Sequence, residues 1–171
     1  MRNSLPAHLL SFILPVTVLI IVPACILWGK KDNLLGWGIN STWDIVSITA
    51  GVLLAACGLF LLCWTISLFH NRGKGTLAPW SPTQKLVIAG PYRHTRNPMI
   101  SGVLIALLGE TLLFGSLGLL VWFALFFLIN HTYFILLEEP GLAKRFGDSY
   151  LEYKSNVPRW IPLLKPWDAP K

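Results

Sequence analysis

Residues 99–137 read MISGVLIALLGETLLFGSLGLLVWFALFFLINHTYFILL, an apolar tract whose only formal charge is Glu110. A helix crosses a bilayer with about 20 apolar residues, so this tract is nearly twice as long as one span requires. The stretch FGSLG at 114–118 supplies small, flexible residues for a tight turn in its middle. The tract therefore predicts a helical hairpin with spans near 98–114 and 118–137.

Two more uncharged apolar tracts precede this one. Residues 9–28 contain Pro15 and Pro23, which a bilayer-embedded helix tolerates as kinks, and residues 45–69 are long enough to cross the bilayer with some tilt. A cleaved secretory signal is the alternative for the first tract, although Arg2 is a weak basic region and Pro23 is unfavourable at a cleavage site. The sequence thus predicts an all-α membrane protein with four transmembrane helices, the last two forming the hairpin.

Composition agrees with a membrane protein. The chain is 54% hydrophobic and 13% charged, whereas soluble domains carry roughly 25% charged residues, which excludes an ordinary water-soluble enzyme. Cys25, Cys57 and Cys63 lack the CxxC or His-paired spacing of a metal site. We therefore expect them to be small apolar packing residues, with no metal site and no disulfide framework.

Basic residues lie mainly on one side of the four predicted spans. That side carries the lysines and arginines of residues 72–96 and 138–171, whereas the other side has Lys30 and Lys31 beside two acids. The positive-inside rule places both termini and the long loop of this multi-pass protein in the cytoplasm. Orientation and anionic membrane lipid explain the net charge of +6, and without a nucleic-acid motif we expect no nucleic-acid binding.

The cytoplasmic segments divide the chain into residues 1–72, with the first two transmembrane helices, and residues 73–171. The second region begins with a loop rich in glycine and proline, which predicts an ordered, turning segment. After the hairpin, Pro140 is suited to the first position of a new helix, where apolar residues recur at helical spacing: Leu142, Phe146, Tyr150 and Tyr153. We expect one C-terminal amphipathic helix at the membrane interface.

Four separated motifs of the chain resemble those of a known group of enzymes. They are GPYRHTRNPM at 90–99, EEP at 138–140, FGDSYLEY at 146–153 and VPRWIP at 157–162. This order resembles the integral-membrane methyltransferases, which include isoprenylcysteine carboxyl methyltransferases and phospholipid N-methyltransferases. The resemblance covers roughly residues 73–165. It implies that region 73–171 is methyltransferase-like, binds S-adenosylmethionine at the cytoplasmic face and methylates a lipophilic small molecule or a lipidated acceptor.

The resemblance also implies the residues of the site. Cofactor contacts are expected from Lys85, Leu86, Val87, Tyr92, Asn97, Pro98, Met99, Ile100 and Glu139. Three positions depart from the familiar pattern: Asn97 stands where His is common, Ile100 where Tyr is common, and Ile135 where the prenylcysteine enzymes carry a substrate-contacting Arg. These departures disfavour a prenylcysteine substrate.

Two acceptor chemistries stay open. A carboxylate acceptor is already anionic and favours nearby cations, for which Arg93 and Arg96 are the candidates. An amine acceptor must lose a proton and favours a base such as Glu138 or His131. The catalytic candidates are therefore Arg93, Arg96 and Glu138, in a reaction that depends mostly on alignment and exclusion of water.

Each candidate also has a purely structural interpretation. The two arginines suit lipid headgroups, the acids Glu138 and Glu139 suit the solvated end of the fourth span, and Asn97 suits capping of the third span. Adjacent acids at the negative end of a helix are nevertheless costly unless a cation or ligand compensates them. Capping and cofactor binding by Asn97 are compatible, because the same helix end attracts a carboxylate.

Two polar residues inside the predicted spans complete the candidates. His131 lies two helical turns before Glu138, where it either borders the pocket or is a hydrogen-bonded structural residue. Glu110 lies ~9 Å from the hairpin turn and His131 ~22 Å, so we do not expect them to pair. A transporter or scaffold using Glu110 as an ion site is an alternative function, as is an NAD(P)H-dependent reductase, although no GxGxxG motif is present.

Overall fold

The computed structural model describes residues 13–29, 41–73 and 86–168, without the side chains of residues 69–73. This part of the chain is helical with connecting loops and contains no strand, which confirms the all-α prediction for it. The six α-helices of this part are α1 (Ile13–Trp28), α2 (Thr42–Gly73), α3 (Pro98–Phe114), α4 (Leu117–Tyr133), α5 (Glu139–Phe146) and α6 (Asp148–Asn156), with a 3₁₀ turn at Gly90–Arg93.

Two helical stretches are long and apolar enough to cross a membrane. They are Thr42–Leu68 within α2 and the continuous stretch Leu117–Phe146. The apolar helices α1 and α3 are shorter. Helix α3 has the predicted bounds, and only Gly115, at φ +54°, and Ser116 separate it from α4.

Helices α2 and α3 pack with their backbones in contact, a feature that our sequence analysis missed. A Cβ atom placed on Gly58 would lie 2.4 Å from the Ala106 nitrogen, and one on Gly109 would lie 2.4 Å from the Ala55 nitrogen. Small residues at such positions let membrane helices approach closely. The adjoining core consists of Leu19, Leu62, Val103, Ala106 and Leu107.

A π-helical turn precedes a proline in two helices. The turn Thr17–Ile21 lies before Pro23, and the turn Phe134–Glu138 lies before Pro140. In the second turn the Glu139 N–H donates to the Phe134 carbonyl, five residues back. Since proline lacks an N–H, this register shift accommodates it within a continuous helix.

The prediction that Pro140 opens a new helix is wrong in one respect: α5 does start at Glu139 with Pro140 in its first turn, but it follows the π-helical turn without a break. The helix of the fourth apolar tract continues through the π-helical turn to Phe146, so Glu138 and Glu139 lie within it rather than at its end. The prediction of one amphipathic C-terminal helix is also wrong, because Gly147 adopts φ +54° and separates α5 from α6. Glycine tolerates this left-handed φ at no steric cost.

The cysteines also differ from our expectation. Cys25, Cys57 and Cys63 are free and exposed on α1 and α2 instead of packed in the interior. In an apolar helix an exposed thiol behaves as a small hydrophobic group, so these positions are compatible with contact to lipid.

Candidate functional site

A pocket opens where α3 begins and the continuous helix α4–α5 passes into its polar part. The space between its walls is about 510 Å³, counted out to its open mouth. Its wall is formed by Leu86, Val87, Tyr92, Arg96, Asn97, Phe134, Glu138, Glu139, Leu142, Tyr150 and Tyr153. Segments far apart in sequence thus meet at one cavity.

Tyrosines of α6 connect the pocket walls. Tyr153 is buried and its hydroxyl donates to the Tyr92 carbonyl at 2.6 Å, which fixes the 3₁₀ turn against α6. Tyr150 and Tyr153 form an apolar cluster with Val157, and Leu86 and Leu142 pack against it. The aromatic face of α6 therefore holds the loop before α3 in place.

The C-terminal segment adds a second connection to that loop. Backbone hydrogen bonds run from Arg96 N to Pro158 O at 2.9 Å and from Leu163 N to His94 O at 2.9 Å. The Thr95 hydroxyl also donates to the Arg159 carbonyl at 2.8 Å. These bonds between distant parts of the chain hold Arg96 beside the pocket.

Glu139 is the centre of a buried charge cluster. Its side chain is 6% exposed, and its Oε1 accepts from Arg96 at 2.8 Å and from Arg159 at 2.6 Å, while its Oε2 pairs with Lys154 at 2.9 Å. Burial by itself would raise the pKa of Glu139, but the hydrogen bonds from Arg159 and Lys154 and the charge of Arg96 outweigh it and hold the pKa at about 2. The interpretation of Glu139 as a solvated helix end is therefore wrong.

Glu138 lines the same pocket in a different environment. It forms no ion pair with any other residue in the described ranges 13–29, 41–73 and 86–168. Burial, and secondarily the charge of Glu139, raise the pKa of Glu138 to about 7. Two adjacent carboxyls thus differ strongly in proton affinity, an arrangement that suits one for charge pairing and the other for proton exchange.

The two arginine candidates are separated by the fold. Arg96 lines the pocket with a side chain that is 10% exposed, and its buried Nε has no hydrogen-bond partner in the described part of the chain. Arg93 is not part of the pocket wall. It pairs with Asp168 and donates to the Trp167 carbonyl at 3.0 Å, which ties down the C-terminal segment.

The start of α3 contributes less of the wall than predicted. Asn97 lines the pocket and occupies the N-cap position, but its side chain makes no capping hydrogen bond. Pro98, Met99 and Ile100 do not line the pocket; Pro98 is buried and Met99 packs against the helical core. Lys85 lies outside the described residues.

Four wall residues were absent from the predicted site: Phe134, Leu142, Tyr150 and Tyr153. Three of them lie on the apolar face recognised after Pro140, so their helical spacing was the available signal. Phe134 precedes Glu138 by one helical turn, and the i, i+4 spacing identifies it once Glu138 is a candidate.

The polar residues of the predicted spans lie away from the pocket wall. His131 accepts a hydrogen bond at Nδ1 from the Trp160 indole at 3.0 Å, which supports its structural interpretation. In the described structure, Glu110 has a buried Oε2 without a hydrogen-bond partner. Neither residue lines the pocket.

Comparison with known proteins relates this chain to methyltransferases. The model of a family described as phospholipid methyltransferase matches residues 46–149. A protein-S-isoprenylcysteine O-methyltransferase of Schizosaccharomyces pombe is 37% identical over 79 residues, which are 46% of this chain and 34% of that relative. The match thus spans about a third of the length of the relative. No solved structure matches the chain.

Proposed function

This chain belongs to the phospholipid methyltransferase family, and from that premise we propose that it transfers a methyl group from S-adenosylmethionine to a lipophilic acceptor at the cytoplasmic membrane face. The observation that carries the proposal is the pocket at the end of a membrane-capable helix. Its wall combines a buried charge cluster with aromatic and aliphatic side chains. A lipophilic acceptor and a charged cofactor require this combination.

The residues present fit S-adenosylmethionine. Arg96 lines the pocket and its buried Nε has no partner in the described chain, so this guanidinium suits the cofactor carboxylate. Leu86, Val87 and Phe134, which also line the pocket, suit the flat face of the cofactor's adenine ring. Glu139, already paired with three cations, is proposed to position Arg96.

The proposed mechanism needs few reactive groups. S-adenosylmethionine supplies the electrophilic methyl group when it is bound. The aromatic wall excludes water and aligns the acceptor, and alignment supplies much of the rate in an in-line displacement. Glu138 accepts the proton that an amine acceptor must lose.

The pocket favours an amine over a carboxylate acceptor. Arg96 is the only lysine or arginine among the described residues that line the pocket, and it is paired with Glu139. Glu138 is a carboxyl group without an ion-pair partner in the described structure, so an added carboxylate would meet repulsion and an ammonium would meet attraction.

The chemistry of the transferred methyl group tests this preference. Lipid extracted after incubation with methyl-labelled cofactor is treated with mild base, which releases methyl esters as volatile methanol and leaves N-methyl groups in the non-volatile fraction. Retained label is expected for an amine acceptor. Release of the label as methanol would identify a carboxylate acceptor and contradict the role of Glu138 as base.

We further propose that α1, α2, α3 and the apolar part of α4, residues 117–137, form four transmembrane spans. Residues 1–72 provide two spans, and residues 73–171 provide the hairpin and the cofactor site. The two-residue connection at Gly115 and Ser116 supports a reversal between α3 and α4. Reporters fused at residue 2, within 74–85 and at the C-terminus should report the cytoplasm, and a reporter at residue 32 the opposite side; a cytoplasmic residue 32 would contradict the four-span arrangement.

Ligand stabilisation tests the proposed function against its alternatives. In detergent, S-adenosylmethionine or its demethylated product should raise the thermal midpoint of the purified protein, because a ligand that binds only the folded state stabilises it. Arg96→Ala should reduce this shift. Stabilisation by NADPH instead would indicate a reductase, and stabilisation by none of these ligands would favour a transporter or scaffold.

A further inference from the structure

The C-terminal segment carries large apolar side chains that the described protein leaves uncovered. Ile161 is 80% exposed and Leu164 is 100% exposed. They lie in a short irregular stretch after α6, and backbone bonds to the loop at His94 and Arg96 hold this stretch on both sides of Ile161. A constrained chain that presents two uncovered aliphatic side chains marks an interaction surface.

Trp160 determines where this stretch lies along α4. Its ring centroid is 5.3 Å from that of Phe127 and 5.6 Å from that of Phe134, and its indole N–H donates to His131. Phe127 precedes Glu138 by eleven residues, about 16 Å along a helix, and Phe134 precedes it by about 6 Å. Trp160 therefore lies alongside the apolar part of α4, on the membrane side of the polar pocket residues.

The neighbouring residues suit the boundary between headgroups and acyl chains. Pro158 and Pro162 have no amide N–H, which lowers the cost of placing irregular backbone in a poorly hydrated region. Tryptophan is enriched at that boundary, and its indole donor is satisfied here by His131. Lys165, which is exposed, adds positive charge that anionic lipid attracts.

We propose that residues 158–167 form a membrane-contact loop, in which Ile161 and Leu164 insert into the bilayer leaflet next to the pocket. The occupant of this surface is the lipid bilayer, because the loop continues the apolar surface of α4. Arg159, next to Trp160, contacts Glu139 at 2.6 Å, so the lipid contact lies two residues from the charge cluster of the pocket. The inference rests on the proposed membrane placement of α4 and not on methyl transfer.

Site-directed fluorescence tests the loop. Single cysteines replace Ile161 or Leu164 in a full-length background carrying Cys25→Ala, Cys57→Ala and Cys63→Ala, and each is labelled with an environment-sensitive fluorophore. Leu128→Cys on the exposed face of α4 serves as the lipid control, and Glu152→Cys on the exposed face of α6 as the water control. The protein is reconstituted in phosphatidylcholine–phosphatidylglycerol vesicles with or without nitroxide-labelled acyl chains.

Labels at 161 and 164 should be quenched by the nitroxide lipid as strongly as the label at 128, and shielded from aqueous iodide relative to the label at 152. Quenching by iodide at 161 and 164 equal to that at 152, while 128 is quenched by lipid, would overturn the loop and leave the membrane placement of α4 intact. If iodide also quenches the label at 128, the proposed membrane placement of α4 is contradicted, and this inference fails with it.

Discussion

Two adjacent glutamates have opposite environments at the candidate site. Glu139 is surrounded by Arg96, Lys154 and Arg159, whereas Glu138 has no ion-pair partner in the described residues. The sequence analysis grouped both acids with the site but could not distinguish them, because two of the three cations come from residues 154 and 159, beyond the Gly147 break. We therefore propose that Glu138 accepts the proton and that Glu139 positions Arg96.

Replacing Glu139 with glutamine should destabilise the protein. Three cations then lose their carboxylate, and breaking a buried ion pair by removing one partner costs about 3 kcal/mol, or roughly 6–12 °C in thermal midpoint for a chain of this size. Thermal unfolding in detergent measures the shift. Asp148→Asn, at an exposed acid of α6, is the matched control and should change the midpoint little.

The stability difference between parent and Glu139→Gln should also depend on pH. Because the pKa of Glu139 is lowered from 4.5 to about 2 in the folded protein, its stabilisation is complete above about 4.5 and is lost as the pH falls towards 2. At low pH the parent loses the stabilisation that ionised Glu139 provides, whereas the Glu139→Gln variant has no such stabilisation to lose. The difference should therefore narrow from pH 6 to about pH 3, and a constant difference would contradict the charge cluster.

Glu138→Gln tests proton transfer. With the pKa of Glu138 raised to about 7, kcat/KM of the parent should increase as the pH rises through about 7, because the base must be deprotonated. The variant should lose this dependence and about 10²-fold or more of kcat/KM, while its cofactor affinity changes less. A variant with the parent's pH profile would remove Glu138 from the mechanism.

At the level of elements, the contact between α2 and α3 depends on glycine. Gly58→Ala places a Cβ 2.4 Å from backbone nitrogen of Ala106, so the helices must separate, at a cost of roughly 1–3 kcal/mol. Gly141→Ala is the control, since nothing lies within 4 Å of its Cβ and alanine stabilises a helix by up to ~1 kcal/mol over glycine. Thermal midpoints in detergent should fall for the first variant and hold or rise for the second; equal effects would contradict the close packing.

The sequence predicted the positions of the helices better than the connections between them. Apolar length and the glycine at 115 were enough to place α3 and the start of α4, because these features are local. The π-helical turns before Pro23 and Pro140 were not predictable from hydropathy, since proline alone suggests a kink or a helix start. The sequence shows a glycine at 147 but does not show that it breaks the helix. Its left-handed φ of +54° turns α6 away from α5.

The site was predicted from separated motifs and corrected by tertiary contacts. Leu86, Val87, Tyr92, Asn97 and the acid pair do line one pocket, and the family resemblance identified them although they lie far apart in the chain. Arg93 lies elsewhere because Asp168 and the Trp167 carbonyl engage it. Such pairings across more than 70 residues have no signal in local spacing.

For the whole molecule, we propose a membrane-embedded helical bundle with the pocket at one end of it. In this proposal the apolar parts of α1 to α4 lie in the membrane. The loop before α3, helix α5 and helix α6 line the proposed cofactor site, and the C-terminal segment holds that loop in place. A lipophilic acceptor would then reach the pocket from the bilayer, and the charged cofactor would reach it from water.

Transfer of label from S-adenosylmethionine into lipid tests this central claim most directly. Membranes prepared with and without the protein are incubated with the methyl-labelled cofactor, and lipid and aqueous fractions are counted after extraction. The account predicts label in the lipid fraction that requires the protein and is reduced by Arg96→Ala. Label confined to soluble products, or equal lipid label without the protein, would contradict it.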